Sequence, residues 1–486
     1  MALLLQAGEV KSEGNELTKQ ELPGTFCLDG SPAAFYVRRA ADPNASWLIY
    51  IPDAPQCLSP ESCSAMAKTR AGSASMWPSS IPDLGGITSW NAGDNGDFAR
   101  FHLALLPACD ASSFASNRTE VLKGGVYLRG RQTLDAFLDN FLALQKLTET
   151  KRVLVAGSGS GGVAVLLALD HIAARLNQMG FKGDTVGAVD GAMIPSRVAG
   201  FEPRVLASYA DAEALWSPAP PLYSSRSERG PPPEPGEGLL PANLLKGVRR
   251  PVFVSQGAFD CAHIRRAFPG LSNASATAAV GVALQGRAAL PAAWQRAVRS
   301  AVGPAVHNPG HGLFLIACAA GVQLVLRPFP YQDGVVDPGV EGDATPAPQG
   351  FEGECGRTGG WRKHFIKAGC QVMSLRESLE DWFFAFPWRG GEAEYSKLVD
   401  EVEGNSNPTC RFDGTGSVAE LQRVIVEQRA RAVEVRDAKG RPYLPTSPEA
   451  GARGLSSPPL PPLERRPQLS SRGRFSAEEG VLVEGG

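Results

Sequence analysis

The feature that most constrains this chain is a run of glycine and serine, Gly157 to Gly162, set between two apolar segments. A short β-branched run, Val153 to Val155, precedes it, and a longer apolar run begins at Val163. β-branched runs bounded by turn residues are typical of buried strands, and longer apolar runs are typical of buried helices. Glycine permits both a strained turn and a close approach of strand and helix. The sequence therefore predicts a strand, a sharp turn and a helix, around which a sheet is built.

Strands and helices alternate along much of the remaining chain. The predicted strands include residues 46–51, 101–106, 184–190 and 251–255, and the predicted helices include 128–147, 374–384 and 417–436. Such alternation is typical of an α/β fold with a mostly parallel, doubly wound sheet and helices on both faces.

The composition of the termini and loops suggests how the chain is divided. We expect a disordered N-terminus, one α/β domain, a helical extension and a disordered tail, at residues 1–23, 24–390, 391–440 and 441–486. Within the domain we expect a proline-rich insertion at about 217–245 and a loop at about 330–360.

Charge and hydropathy exclude several classes of function. The 486 residues carry a net charge of −2, which gives no bulk electrostatic attraction to nucleic acid or to an anionic membrane. No run of about 18 apolar residues exists, so we expect no transmembrane helix. The nine cysteines and six histidines form no cluster with zinc-ligand spacing, and we expect no metal.

The evidence on compartment points in two directions. The N-terminus lacks the basic start and the apolar core of about 7–15 residues that a signal peptide has. Three Asn-x-Ser/Thr sequons, which predict glycosylation in a secretory compartment, lie at Asn44, Asn117 and Asn273. A true start upstream of Met1 would reconcile the two, and a cytoplasmic protein is the alternative.

The glycine-rich turn also has the shape of the nucleophile elbow of α/β-hydrolases, written G-x-S-x-G. Eight segments, in order over about residues 25–385, resemble the pectin acetylesterase/Notum family of α/β-hydrolases. Among them are Trp47-Leu-Ile-Tyr-Ile, Gln256-Gly-Ala-Phe-Asp260 and Phe314-Leu-Ile-Ala-Cys318. The resemblance implies an α/β-hydrolase fold, secretion, and a serine carboxylesterase that needs no cofactor. Members remove acyl groups from glycan or protein hydroxyls. It also implies disulfides between Cys57 and Cys63 and between Cys27 and Cys109.

The resemblance breaks down at the residues that would carry the chemistry. Ester hydrolysis of this type uses a serine nucleophile, a histidine base, an aspartate and N–H donors for the oxyanion. Laid on the family pattern, the nucleophile position is Gly159, the base position is Gly321 and the acid position is Asp260. The glycines of the oxyanion loop are replaced, with Asp53 and Ala54 in their place. Three of the four catalytic elements are therefore missing under this alignment.

Other residues could still take over these roles. Ser160 could act as a displaced nucleophile, although a turn serine more often bonds to nearby backbone. His311 is a weak substitute base, since it lies in a loop that could move. Asp260 could be a remnant of the triad or the N-cap of a helix. Asp190 could lie near the substrate pocket or simply end a strand.

We therefore favour a catalytically degenerate family member that acts as a binding protein, with an acylated glycan or acylated protein as its ligand class. The alternative is an active serine carboxylesterase that uses Ser160 with Asp260 and a relocated histidine. A third hypothesis is a non-functional gene product. Neither the acyl group nor the oligomeric state follows from the sequence.

Overall fold

The computed structural model describes residues 16–145, 150–218, 234–268, 289–318, 321–326, 329–331, 365–368, 371–385, 389–391, 393 and 395–400. By backbone contacts the chain divides into two units, 1–432 and 433–486, and the second unit lies outside the described residues. The predicted loop at 330–360 beyond Tyr331, the predicted helix at 417–436 and the tail at 441–486 also lie outside them.

Twelve strands are present in the described part of the chain. They are β1 (Glu16–Leu22), β2 (Ala33–Arg38), β3 (Trp47–Ile51), β4 (Ser80–Pro82), β5 (His102–Leu105), β6 (Arg152–Ser158), β7 (Asp184–Asp190), β8 (Val252–Gly257), β9 (Gly312–Ile316), β10 (Phe365–Ala368), β11 (Gln371–Ser374) and β12 (Lys397–Val399).

The helices of the same part of the chain are mostly short. They are α1 (Pro60–Met66), α2 (Ala92–Asn95), α3 (Gly130–Gln145), α4 (Ser160–Gln178), α5 (Val205–Trp216), α6 (Pro241–Gly247), α7 (Cys261–Ala267), α8 (Ala289–Ala301), α9 (Gly303–His307) and α10 (Leu375–Ala385). Short 3₁₀ helices lie at Ala74–Met76, Gly86–Thr88, Gly96–Arg100 and Glu237–Leu239.

Ten strands form one mixed sheet, in the order β12-β9-β8-β7-β6-β3-β5-β2-β1-β4. The seven strands from β12 to β5 pair in parallel, and β2, β1 and β4 continue the sheet in antiparallel pairs. Strands β10 and β11 form a separate hairpin. The predicted fold class, an α/β-hydrolase-like fold with a mostly parallel sheet, is confirmed.

The central parallel strands consist mainly of apolar residues, and helices pack against them. Every residue of β3 is buried, and β6 is buried over its last six residues. Continuous apolar runs of this kind are typical of parallel strands that are covered on both faces. Helix α4 packs on β6 and β7 and also contacts α3 and α6, whereas α10 packs against β8 and β9. Most of the apolar side chains of α4 are buried, as its sequence predicts.

Two boundary predictions are wrong. Residues 16–22, which were expected to be disordered with the rest of 1–23, form strand β1 between β2 and β4. Their backbone groups pair with both neighbours, as in Thr18 opposite Val37 and Ser80, and this pairing outweighs their polar composition. Residues 397–399, expected within a helical extension, form β12, which pairs with β9.

Both predicted disulfides are confirmed. Cys27 bonds to Cys109, and Cys57 bonds to Cys63. Cys318 is also disulfide-bonded. In the described part of the chain, no helix is both long enough and apolar enough to span a bilayer.

Candidate functional site

The candidate site lies at the carboxyl edge of the parallel strands. Asp53 follows β3, Gly159 follows β6, Asp190 ends β7, Asp260 follows β8, and Gly321 lies beyond β9. Because these strands are parallel neighbours, their carboxyl ends meet at one edge of the sheet, where α/β proteins bind their ligands. The structure thus brings together four of the positions that the sequence predicts: Asp53, Gly159, Asp260 and Gly321.

The turn between β6 and α4 has the geometry of a nucleophile elbow. Gly159 has φ 53° and ψ −121° and is the N-cap of α4. Its N–H donates to the carbonyl oxygen of Asp190 at 2.8 Å. A Cβ atom on Gly161 would lie 2.1 Å from the carbonyl oxygen of Ile51, so only glycine allows α4 to approach β3 this closely. The predicted strand, sharp turn and helix are therefore all present, with Gly159 at the apex.

The carboxylate of Asp53 fills the space at this apex. A Cβ atom on Gly159 would lie 2.3 Å from Oδ1 of Asp53 and 2.4 Å from its Cγ. The N–H of Ser160, in the first turn of α4, donates to Oδ1 of Asp53 at 2.8 Å. A negative charge is stabilised here because the N-terminus of a helix carries unpaired N–H groups and a partial positive charge.

Asp53 is exposed at the protein surface, but many protein atoms lie around its carboxyl group. Desolvation by this surrounding protein raises the pKa of the Asp53 carboxyl, and hydrogen bonding to Ser160 opposes the rise. The negative charge of Asp260 raises the pKa of Asp53 further. The two carboxylates are therefore close enough to influence each other electrostatically.

Ser160 is bonded to the loop that carries Asp53. Its hydroxyl accepts a hydrogen bond from the N–H of Ala54 at 2.8 Å and donates one to the carbonyl oxygen of Ala54 at 2.7 Å. Together with the bond from its own N–H to Asp53, this clamps the 52–57 loop onto the start of α4. The hydroxyl proton of Ser160 is directed at a backbone carbonyl.

Asp260 is the N-cap of α7, as one of the two sequence readings predicts. Its Oδ1 accepts from the N–H groups of Ala262 at 2.9 Å and His263 at 3.3 Å. Nδ1 of His263 lies 3.7 Å from Oδ2 of Asp260. A Cβ atom on Gly321 would lie 3.6 Å from both carboxylate oxygens, so a side chain at position 321 would lie directly over Asp260.

The structure does not bring His311 to the site, and this corrects its assignment as a substitute base. His311 immediately precedes β9, at the amino edge of the parallel strands, and its Nδ1 accepts a hydrogen bond from the N–H of Val252 at 3.2 Å. Burial lowers the pKa of His311 to about 4, with a smaller contribution from the charge of Lys397. Among the described residues, no histidine forms a hydrogen bond with Ser160.

Asp190 lies beneath the elbow and is fully buried. Its Oδ2 accepts from the N–H groups of Gln323 at 2.6 Å and Leu324 at 2.9 Å and from the hydroxyl of Ser158 at 3.1 Å. Its Oδ1 accepts from the hydroxyl of Ser255 at 2.8 Å. Desolvation raises the pKa of Asp190 to about 6, against these hydrogen bonds. Asp190 therefore holds the segment after Gly321 against the sheet.

The three predicted glycosylation sites differ in their exposure. Asn44 is exposed, Asn117 is half-buried and Asn273 lies outside the described residues, so glycosylation stays a prediction.

In the described part of the chain, no group of three or more histidine, cysteine, aspartate or glutamate side chains could hold a metal ion.

One feature of the site, the network around Asp190, was missed from the sequence. Its only signal was an aspartate at the end of an apolar strand. His263, three residues after Asp260, was expected to lie on the same helix face and away from the elbow, and the structure places its Nδ1 3.7 Å from Oδ2 of Asp260.

Comparison with known proteins identifies relatives of this chain. The family described as Pectinacetylesterase matches residues 7–335. Pectin acetylesterase 4 of Arabidopsis thaliana is 28% identical over 249 residues, which are 50% of this chain and 58% of that protein. The human palmitoleoyl-protein carboxylesterase NOTUM is 29% identical over 159 residues, 32% of this chain and 31% of that enzyme.

A solved structure has the same fold. The Wnt deacylase Notum from Drosophila aligns with a TM-score of 0.61 at 20% identity, covering 81% of this chain and 99% of the Notum chain. An identity this low supports the shared fold alone. The family match, in contrast, extends over more than half of the sequence and includes the elbow, Asp53 and Asp260. The chain belongs to the pectinacetylesterase family of carboxylesterases.

Proposed function

We propose that this chain is a binding protein of the pectinacetylesterase family whose site does not carry out acyl transfer. The observation that carries the proposal is the position of Asp53, whose carboxylate lies 2.3 Å from where the Cβ of a residue at the elbow apex would be. A serine nucleophile and the Asp53 carboxylate cannot occupy the same space.

Asp53 also opposes the stabilisation of an oxyanion at this site. Acyl transfer needs N–H donors aimed at the oxygen that becomes negative, and losing one such donor costs about 10²–10³ in rate. The N–H of Ser160 is bonded to Asp53, and the carboxylate itself would repel a developing oxyanion. The site therefore disfavours the negative charge that develops during ester hydrolysis.

The proton-transfer step lacks its usual partners. Gly321 contributes no imidazole, although it faces Asp260. His263 lies beside Asp260, but the proton of the Ser160 hydroxyl is directed at the carbonyl of Ala54. An active esterase based on Ser160 would have to break both hydrogen bonds of that hydroxyl and draw a histidine to it.

The ligand class follows from the family. Relatives are named for pectin acetyl esters and for palmitoleoylated protein, and we propose that this chain binds a glycan or a protein of the kind that bears such acyl groups. Its disulfides favour an oxidising compartment, and we propose the secretory pathway or the extracellular space.

Hydrolysis of p-nitrophenyl acetate and p-nitrophenyl octanoate tests the proposal. We expect the full chain to show no turnover above that of its Ser160→Ala variant, because Ser160 is held by Ala54. Thr133→Ala, which alters a hydroxyl on α3, controls for nonspecific effects of substitution. Turnover that is lost in Ser160→Ala but kept in Thr133→Ala would establish the active esterase instead.

A further inference from the structure

Two stacked side chains connect helices α5 and α7, and we call them the stacked pair. The Cζ atom of Arg266, on α7, lies 5.0 Å from the centre of the Tyr209 ring, on α5. Arginine stacks on aromatic rings because its planar guanidinium is attracted to the electron-rich face of the ring. The N–H of Arg204, at the start of α5, also donates to the carbonyl oxygen of Ala267 at 2.8 Å, so the backbone holds the same two helices together.

Each member of the stacked pair has a polar atom without a partner. Tyr209 is only 1% exposed, and its buried hydroxyl has no hydrogen-bond partner among the described residues. Nη2 of Arg266 is also buried and is likewise unpaired in the part of the chain that the structure describes. Buried polar atoms normally have partners, so two unpaired atoms on stacked side chains mark a place where a ligand can bind.

The charge of Arg266 also lacks a partner from the chain. Over the described ranges, no aspartate or glutamate forms an ion pair with this guanidinium. Glu213, one helical turn after Tyr209 on α5, accepts a hydrogen bond from the N–H of Gly236 instead. Because a half-buried charge is normally paired, the stacked pair is complementary to a ligand with negative charge.

The two unpaired atoms suit a carboxylate. The tyrosine hydroxyl and the guanidinium can both donate, and a carboxylate offers an acceptor oxygen to each of them. Its charge strengthens the hydrogen bond to the guanidinium. A neutral carbonyl would leave the positive charge unpaired, and a phosphate or sulfate has further oxygens that the stacked pair cannot serve.

The burial of Tyr209 limits the shape of the ligand. Arg266 is half-buried and reaches the protein surface, whereas Tyr209 is almost completely buried. A ligand therefore has to reach between the two helices to meet the tyrosine hydroxyl. A uronic acid carries its carboxylate directly on a sugar ring, which is too bulky to follow it there. An aspartate or glutamate side chain carries the carboxylate on a slender methylene stem.

We propose that the stacked pair is a docking site for an acidic side chain of a protein partner, whose carboxylate accepts from the Tyr209 hydroxyl and from Nη2 of Arg266. Helix α7 has Asp260 as its N-cap and Arg266 in its last turn, so the docking site and the candidate site lie at the two ends of one short helix. The inference goes beyond the proposed function, because it holds whether or not the elbow hydrolyses esters.

Binding of short peptides to the full chain tests this inference. Ligand-observed NMR at pH 7 would measure the Kd of acetyl-Gly-Glu-Gly-amide, of its neutral match acetyl-Gly-Gln-Gly-amide, and of glucuronate. We expect the glutamate peptide to bind at least about tenfold more tightly than the glutamine peptide, because the latter loses the charge-assisted hydrogen bond. Glucuronate should bind more weakly than the glutamate peptide, because its sugar ring cannot enter between the helices.

Two variants locate the binding at the stacked pair. Tyr209→Phe removes only the hydroxyl, and Arg266→Gln removes the charge; each should weaken binding of the glutamate peptide about tenfold. Arg175→Gln, which removes an arginine from the exposed ion pair with Asp139, is the matched control and should bind as the original chain does. Because the Tyr209 hydroxyl has no partner, Tyr209→Phe should unfold at the same urea concentration as the original chain or at a higher one.

Equal binding of the two peptides, or failure of both to bind, would overturn the inference, as would unchanged binding in both variants of the stacked pair. Glucuronate binding as tightly as the glutamate peptide would overturn the assignment to an acidic side chain. Ester turnover that depends on Ser160 contradicts the proposed function alone, so the two proposals can fail separately.

Discussion

Asp190 at the carboxyl edge of the parallel sheet and His311 at its amino edge are both buried, and their pKa values shift in opposite directions. At the carboxyl edge, Asp190 is fully buried and accepts four hydrogen bonds, and its pKa is raised to about 6. At the amino edge, His311 is buried against the N–H of Val252, and its pKa is lowered to about 4. Burial disfavours the charged form in both cases, so the pKa of the acid rises and that of the base falls.

The two edges also differ in the hydrogen-bond partners that they offer to these groups. The carboxyl edge supplies helix N-termini and free N–H groups, which hold Asp53, Asp190 and Asp260 in place. The amino edge offers His311 only a structural role, because protonation would set a ring N–H against the N–H of Val252. His311 is therefore not a candidate for the chemistry of the site.

Of the substitutions that test this comparison, we expect the removal of Asp190 to change the free energy of unfolding most. Asp190→Ala leaves the buried N–H groups of Gln323 and Leu324 without acceptors. Each unsatisfied buried group costs about 1–3 kcal/mol, so we expect the free energy of unfolding to fall by about 3–5 kcal/mol. Urea unfolding followed by circular dichroism measures this change.

Asp190→Asn is the matched control for that substitution. Its amide oxygen can accept from Gln323 and Leu324 while its NH₂ group donates to the hydroxyl of Ser255, which can reorient to accept. We expect it to lose much less stability than Asp190→Ala. Equal losses in the two variants would contradict the role of Asp190 as an acceptor for the 321–326 segment.

The second prediction is that the contributions of Asp190 and His311 to stability change with pH in opposite directions. Asp190 keeps its proton to a higher pH in the folded state than in the unfolded state, so its contribution to stability falls as pH rises from about 4 through about 6. Relative to Asp190→Asn, the original chain should lose about 2 kcal/mol between pH 4 and pH 7.5.

His311 has the reverse sign in the same pH window. The unfolded state binds a proton at about pH 6.5, whereas the folded state resists it until about pH 4, so stability is lost as pH falls. Relative to His311→Gln, the original chain should lose about 2 kcal/mol between pH 7 and pH 5. Unfolding free energies measured at several pH values give both slopes, and slopes of the same sign would refute the contrast between the edges.

The smallest effect concerns the contact between Asp53 and the elbow. Gly159→Ala places a Cβ atom 2.3 Å from Oδ1 of Asp53, and overpacking of this kind costs about 1–3 kcal/mol. In an Asp53→Gly background this clash is absent, while the backbone strain at the φ of 53° remains in both. The double-mutant cycle should therefore show a coupling of about 1–2 kcal/mol. Additive effects would mean that Asp53 does not occupy the apex.

Much of the fold could be predicted from the sequence because its signals are local. The apolar runs at β3, β6, β7 and β8 and the helix α3 lie where they were expected. Strand β1 could not be predicted, because its partners β2 and β4, rather than its own polar residues, make it a strand.

The candidate site could be predicted only in part. The alignment placed Gly159, Asp260 and Gly321 together, and the structure has them at one edge of the sheet. The sequence could not show that Asp53 would fill the apex or that His311 would lie at the opposite edge. Both depend on how strands far apart in the chain are ordered in the sheet.

The sequence by itself determined the strand, the glycine turn and helix α4, because the conformational freedom of glycine and the apolar pattern of Val163 to Leu169 act over a few residues. Only the tertiary structure decided what that turn holds. Asp53 and Ser160 are 107 residues apart in sequence, and Asp190 and Gln323 are 133 apart. Contacts over such separations arise from the packing of parallel strands, which brings carboxyl ends from distant parts of the chain to one edge.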